Sequence, residues 1–329
     1  MQLHLQTRGS QLAVRNGSFW VRTPEHEQFV PFHVVKSVQL HPATKITHEA
    51  VVKALEHDID LLFVDAKGFP AGRVWGHRFG SVSTVRKNQL QFAQSAEARE
   101  WVRRGLLRKA DHQLSLLLWL GQATGRADDP ELAAATDTLR RLTDKLRHHA
   151  DPEASGLFAS FRGFEGSLSR AYFGAIGRVL PERYRFERRS QHPATDAFNC
   201  LLNYAYGMLY GRVESALIRA GLDPAVGVMH RDEYNRPVFT YDFIEPYRGW
   251  ADYVVCHLCV QEVIFDEFFD RPPNGSWWLD AAGKRILVQS LNDYLDEVVT
   301  LEGLSRSRQT HLDLDAQRMA SRLKVKVEN

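Results

Sequence analysis

Residues 95–124 read SAEAREWVRRGLLRKADHQLSLLLWLGQAT, and this run decides the fold. Trp101, Leu106, Leu114, Leu116, Leu117 and Leu120 give it the apolar spacing of a long helix. The helical texture begins after Asn88 and continues to the end of the chain. Asp129-Pro130-Glu131 and Asp151-Pro152-Glu153 are two further helix starts, with Asp as the cap and Pro at the first helical position. Another helix is expected from about Asp196 to Ala220, stopped by Gly221. More are expected from Pro246 to Phe269, from Ser290 to Leu301, and from near Thr310. The polar segment from Ser305 to Asn329 is expected to fray.

Upstream of this run the pattern changes. Leu12-Ala13-Val14, Phe19-Trp20-Val21 and Leu61-Leu62-Phe63-Val64 are short apolar runs. Arg8-Gly9-Ser10, Asn16-Gly17-Ser18 and Lys67-Gly68-Phe69-Pro70 punctuate them as turns. Asn-Gly between two apolar runs is a strong hairpin signal. One helix interrupts, from about Thr47 to His57, with Val51, Val52 and Leu55 on one face. The expected class is α+β. Residues 1–88 form a small, mostly β, sandwich-like domain, and residues 89–329 a larger all-α domain.

Composition narrows the function less than the fold. The chain has 329 residues, 44% hydrophobic and 25% charged, which is ordinary for a globular protein. Its formal net charge of +2 does not itself call for nucleic acid, so any basic surface must come from uneven placement of Lys and Arg. The alternating Met1-Gln2-Leu3-His4-Leu5-Gln6 lacks a signal-peptide core. No apolar run approaches the ~20 residues of a membrane span, so the chain reads as cytoplasmic, with no membrane partner. Three cysteines argue against a disulfide framework.

Chemistry concentrates in two places. Phe158, Phe161, Leu168, Tyr172 and Ile176 mark one helical face, and Glu165 falls on the same stripe. A carboxylate there is costly unless paired or bound to a metal; otherwise it sits at the stripe's edge and reaches water or an Arg. Gly163 and Gly166 flank it and would admit a close backbone. Further on, an apolar stretch ends in His230, and Asp242 and Glu245 lie one helical turn apart. His230 could equally be a packed core residue, and the two acids could be helix caps, because Pro246 follows. One Glu, one His and a carboxylate pair suit Mg²⁺ or Mn²⁺, which could hold a scissile phosphate and activate an attacking hydroxyl.

The ordered motifs carry a resemblance. Phe164-Glu165-Gly166 with Tyr172-Phe173 is followed by Pro193, Asp196, Asn199, Leu202-Asn203-Tyr204 and Tyr206. Gly221-Leu222-Asp223-Pro224 with Gly227 and His230 come next, then Asp242-Phe243-Ile244-Glu245 with Arg248. Over nearly its whole length the chain resembles the CRISPR-associated integrase–endonuclease family, the larger subunit of the spacer-acquisition complex. The resemblance implies metal ligands at Glu165, His230 and Glu245, with Asp242 a second candidate for the last place. It also implies double-stranded DNA as substrate, a homodimer held through the β domain, and a small dimeric CRISPR-associated partner. The reaction it implies is attack of a fragment's 3′-hydroxyl on a phosphodiester of the repeat array. Pro246 and Gly249 depart from the family's usual residues, beside the ligands.

Other features have two readings each. Asn199, Asn203, Tyr206 and Tyr210 share a helical face that could position phosphates or pack on a loop. Arg183-Tyr184-Arg185-Phe186-Glu187-Arg188-Arg189 interleaves cations with rings, as in phosphate contact with base stacking, or as in a solvated connector. With Arg248, these residues are the candidate DNA contacts. Arg103, Arg104, Arg108 and Lys109, and likewise Arg140, Arg141, Lys145 and Arg147, are read as solvated helix faces in preference to a DNA groove. Cys256-His257-Leu258-Cys259 lacks the second ligand pair that zinc needs. Two rival functions stand beside strand transfer: a stand-alone structure-selective DNA nuclease, and a catalytically silent DNA-binding assembly subunit.

Overall fold

The structure is a computed structural model that describes residues 1–66, 70–74, 82–149, 157–191, 193–231, 234 and 236–325. The chain divides into two compact units, Met1–Gly80 and Ser81–Asn329.

The first unit holds two four-stranded sheets. One joins β1 (Gln2–Leu5), β5 (Ser37–Leu40), β7 (Asp60–Val64) and β8 (Pro70–Val74), in that order. Its first three strands run parallel and the last antiparallel. The other joins β4 (Glu27–Val30), β3 (Ser18–Arg22), β2 (Gln11–Arg15) and β6 (Lys45–Ile46). The β2–β3 hairpin turns at Asn16 (φ 49°) and Gly17 (φ 67°). Positive φ at both central residues matches the right-handed twist of the flanking strands, which is why Asn-Gly foretells this turn. Leu3, Leu12, Phe19, Val38, Leu40 and Leu61 lie in the shared core. The helix α1 (His48–Glu56) is capped by the Thr47 hydroxyl, which accepts from the Ala50 N–H. Its fully buried residues are Ala50 and Ala54, whose small side chains let the helix approach closely; of the expected face of Val51, Val52 and Leu55, Val51 packs against the core and all three are half-buried. Of the expected turn at residues 67–70, residues 67–69 lie outside the described residues.

The second unit is helical, with α2 (Val82–Ala93), α3 (Ala96–Ala123), α4 (Pro130–Arg147), α5 (Leu157–Val179), α6 (Ala197–Ala220), α7 (Val238–Ile244) and α8 (Arg248–Val260). Two short strands, β9 (Phe269–Asp270) and β10 (Trp278–Leu279), precede α9 (Ala281–Asp296). The hairpin β11 (Val298–Leu301) and β12 (Leu304–Ser307) leads into α10 (Arg308–Val325). Asp129 caps α4 with Pro130 in the first turn, and Asp196 caps α6, which Gly221 closes at φ 85°. The second Asp-Pro-Glu start, at 151–153, lies outside the described residues.

Three expectations are corrected here. The helix after Pro246 stops at Val260 rather than Phe269, and Glu262 takes a left-handed φ of 50° just beyond. The segment expected to be helical to Leu301 turns instead into the hairpin, with Glu302 (φ 52°) and Gly303 (φ 78°) at its tip. The polar C-terminal segment is an ordered helix up to Val325, since Leu312, Ala316, Met319, Ala320 and Leu323 form a buried stripe. Among the described residues, no helix is long and apolar enough to cross a membrane.

Candidate active site

The site grows from three helices of the second unit. On α5, Phe161, Leu168, Tyr172 and Ile176 are fully buried. Glu165 lies between the first two, its side chain 27% exposed. Among the described residues, nothing crowds Gly163 or Gly166, and the close approach expected there is not seen.

On α7, Asp242 is buried and has both oxygens engaged. Oδ2 accepts from the backbone N–H groups of Val228 (2.5 Å) and Met229 (3.0 Å). Oδ1 accepts from the His230 backbone N–H (3.0 Å) and faces its ring Nδ1 at 2.6 Å. This carboxylate therefore gathers the loop before it and fixes the His230 ring. With Nδ1–H committed to a carboxylate, the Nε2 lone pair is the one available to a ligand. Burial alone would lower the His230 pKa, but the Asp242 hydrogen bond and charge, aided by Glu245, raise it above the ordinary histidine value.

Glu245 follows α7 in a short 3₁₀ turn and is buried. Its Oε1 accepts from Arg248 Nε (2.8 Å) and its Oε2 from Lys109 Nζ (2.6 Å). Burial pushes this carboxyl up, yet Arg248 and Lys109 together outweigh it and hold the pKa at about 2. Lys109 also donates to Glu165 Oε1 at 2.5 Å. One ammonium thus draws together two carboxylates from separate elements. Lys109 is only 2% exposed, which corrects its placement on a solvated face. Burial would lower its pKa, but Glu245 and Glu165 raise it. Removing the cation from such a buried pair typically costs ~3–5 kcal/mol, because a charge is left uncompensated. A signal for Lys109 existed in the sequence. It stands three after Leu106 on the stripe that carries Val102, Leu106, Gln113 and Leu117, the same logic that singled out Glu165.

The other candidates divide. Arg183, Arg185 and Arg188 are exposed on the connector between α5 and α6. Arg189 is not: it donates to the side-chain oxygens of Asn199 and Asn203 (2.8 Å to the latter) and lies over the rings of Phe173 and Tyr206. Asn199 is fully buried and Asn203 donates to the Ser190 and Gln191 carbonyls, so this face of α6 packs on the loop rather than facing phosphates. The rings of the connector also turn inward. Tyr184 donates to the Ile264 carbonyl, and Phe186 stacks on Phe198 at 4.6 Å, so neither is presented to a base. Tyr206 is buried and donates to Asp252 (2.6 Å), which also accepts from Tyr172 (2.9 Å). Arg248 donates to the Tyr210 hydroxyl at 2.8 Å and lies over Tyr206 and Tyr210. Cys256 and Cys259 are buried free thiols.

Among the described residues, no three His, Cys, Asp or Glu side chains converge closely enough to hold a metal ion as they stand. The donor chemistry nevertheless fits an oxygen-seeking divalent cation. Glu165 and Glu245 already converge on one cation, and His230, near Glu245, has its ring set by a carboxylate behind it. A cavity of about 510 Å³ opens against Asp242 and Glu245, with Trp101, Arg104, Arg108 and Tyr247 in its wall.

Residues 3–293 match the family described as CRISPR associated protein Cas1. The chain is 27% identical over 318 residues to the CRISPR-associated endonuclease Cas1 1 of Archaeoglobus fulgidus, covering 92% of this chain and 90% of that one. In fold it is similar to a casposase bound to integration product, with a TM-score of 0.80 and 20% identity, over 100% of this chain and 92% of that one. It is also similar to a chain of a Cas6-RT-Cas1–Cas2 complex, again at TM-score 0.80, with 22% identity, over 99% of this chain and 35% of that longer one. These likenesses agree with a strand-rich N-terminal region of two sheets followed by a large helical region.

Proposed function

Because this chain belongs to the Cas1 family of CRISPR-associated proteins, whose curated relatives are endonucleases, we propose that Glu165, His230 and Glu245 are the centre at which it cuts and joins DNA. Its function is that of a Cas1 endonuclease and integrase in CRISPR spacer integration. The observation that carries the site assignment is the convergence of the Glu165 and Glu245 carboxylates on one buried cation, beside a histidine oriented by Asp242.

Glu165, Glu245 and His230 Nε2 would hold Mg²⁺ or Mn²⁺. Such an ion, when bound, neutralises charge on the scissile phosphate and activates an attacking hydroxyl. The chain's own residues do the rest. Asp242 holds the His230 ring in the tautomer that leaves Nε2 as an acceptor. Arg248 holds the Glu245 oxygen that Lys109 does not, so the carboxylate keeps its direction. Glu245 stays ionised at any working pH, since its pKa is held at about 2. Asp242 accepts four hydrogen bonds and Glu245 two, which favours Glu245 as the direct ligand.

The substrate is double-stranded DNA with a free 3′-hydroxyl as nucleophile. The strand-rich unit carries the contacts of a homodimer and the helical unit the chemistry. A small dimeric CRISPR-associated protein is the partner, in keeping with the fold shared with a Cas1–Cas2 complex. We place the protein in the cytoplasm, where its three buried free thiols persist.

A supercoiled-plasmid assay with short duplex DNA and Mn²⁺ tests this. Glu165→Ala should abolish both nicking and joining of the duplex, with DNA binding held within a few-fold of the parent. Normal joining by that variant would remove Glu165 from the centre. Nicking without any joining by the parent, with and without a partner, would favour water as the nucleophile and a stand-alone nuclease.

A further inference from the structure

Two ionised carboxylates that converge in a largely buried site repel unless a cation lies between them or one of them takes up a proton. Here that cation belongs to the chain. Lys109 Nζ lies 2.5 Å from Glu165 Oε1 and 2.6 Å from Glu245 Oε2. Its stem rises from α3, whereas the carboxylates come from α5 and from the turn after α7. A divalent ion seeking the same two oxygens would meet the ammonium head-on, and two cations at that separation repel. One of them must yield.

Two cations touch Glu245, and they are held differently. Arg248 is planar, donates to both Glu245 and Tyr210, and lies over two tyrosine rings. Lys109 is a point charge on a flexible four-carbon stem. Among the described residues, its ammonium donates to the two carboxylates. Its way out lies on the Glu165 side, where that carboxylate is part-exposed and one of its oxygens also accepts from Ser169.

We propose that Lys109 is an internal placeholder for the divalent cation. Its ammonium keeps Glu165 and Glu245 convergent while the site is free of metal, and it moves out from between them when metal enters. It is a positioning residue: it preserves the ligand geometry and opposes metal entry, so that the site fills only against a competing charge. The inference rests on the metal-binding reading of Glu165, His230 and Glu245.

The test uses the full-length chain, titrated with Mn²⁺ and followed by electron paramagnetic resonance of free Mn²⁺. Parallel samples with and without saturating Mn²⁺ are acylated briefly with acetic anhydride, and each lysine is read by mass spectrometry. Acylation of Lys109 should rise several-fold with Mn²⁺, while the exposed Lys145 on α4 stays constant. Lys109→Met should bind Mn²⁺ about ten-fold more tightly, because one opposing unit charge is gone, and should melt lower than the parent without metal. If Mn²⁺ binds the parent and Lys109 acylation does not rise, the placeholder is overturned while the metal site survives. A folded Lys109→Met with unchanged or weaker affinity overturns it equally. If the variant does not fold, the acylation of the parent decides alone. Failure of the parent to bind Mn²⁺ at all overturns the metal-binding reading, and the placeholder with it.

Discussion

Asp242 shows how much of the site's geometry hangs on one side chain. It accepts four hydrogen bonds, three from backbone N–H groups and one from the His230 ring. An asparagine of the same size has one acceptor oxygen and cannot take all four. Asp242→Asn should therefore free the His230 ring and weaken Mn²⁺ binding by ~10–100-fold, the usual cost of losing a ligand's supporting carboxylate. Unchanged affinity by calorimetry would show that His230 needs no such support. Asp252 makes a different prediction. It is buried beneath the Tyr172 and Tyr206 hydroxyls, and burial raises its pKa above the ordinary value in spite of them. The folded protein then binds a proton that the unfolded chain, titrating near ~3.9, has already released. In that window the native state holds more protons than the unfolded state, so unfolding free energy falls as pH rises. Denaturant unfolding of the parent and of Asp252→Asn at several pH values should show the parent losing ground to the variant as pH climbs from about 4. A difference that is flat, or of opposite slope, would mean that the hydroxyls outweigh burial.

Among the elements, the connector between α5 and α6 is where expectation and structure part most instructively. Over residues 183–186 Arg and aromatic residues alternate, and the two kinds of side chain face opposite ways. Arg183, Arg185 and Arg188 face out, and Tyr184 and Phe186 anchor the connector to the core. Neutralising any two of the three exposed arginines should weaken DNA binding for all sequences alike and flatten its salt dependence by about one to two units of slope. An unchanged slope would put the DNA path elsewhere. Arg189 turns inward and donates to Asn199 and Asn203 on α6, a pairing that no local pattern announces. The strong helices and the Asn16-Gly17 turn were legible because caps, glycines and apolar spacing agree within a few residues. The β11–β12 hairpin was not, since Glu302-Gly303 is a weaker turn signal and the preceding helix masks the change of period. Glu165 was legible as a charge on an apolar stripe. Lys109 obeys the same rule on α3 but was hidden among the neighbouring cations Arg103, Arg104 and Arg108.

For the whole molecule, every residue assigned to chemistry lies in the second compact unit, Ser81–Asn329. The proposed ligands stand at positions 165, 230 and 245, with the proposed placeholder at 109, so no short motif could have displayed the site; only folding would bring it together. A formal net charge of +2 also means that any DNA affinity must be local, built at exposed arginines rather than over the entire surface. The central claim is that these scattered residues form one metal centre. Crystals of the protein grown with Mn²⁺, and diffraction recorded at the manganese absorption edge, test it most directly. The account predicts a single strong anomalous peak coordinated by Glu165, Glu245 and His230 Nε2, with Asp242 still behind the imidazole and Lys109 withdrawn from between the carboxylates. A peak bound elsewhere, or none at saturating Mn²⁺ with Lys109 still bridging Glu165 and Glu245, would contradict it.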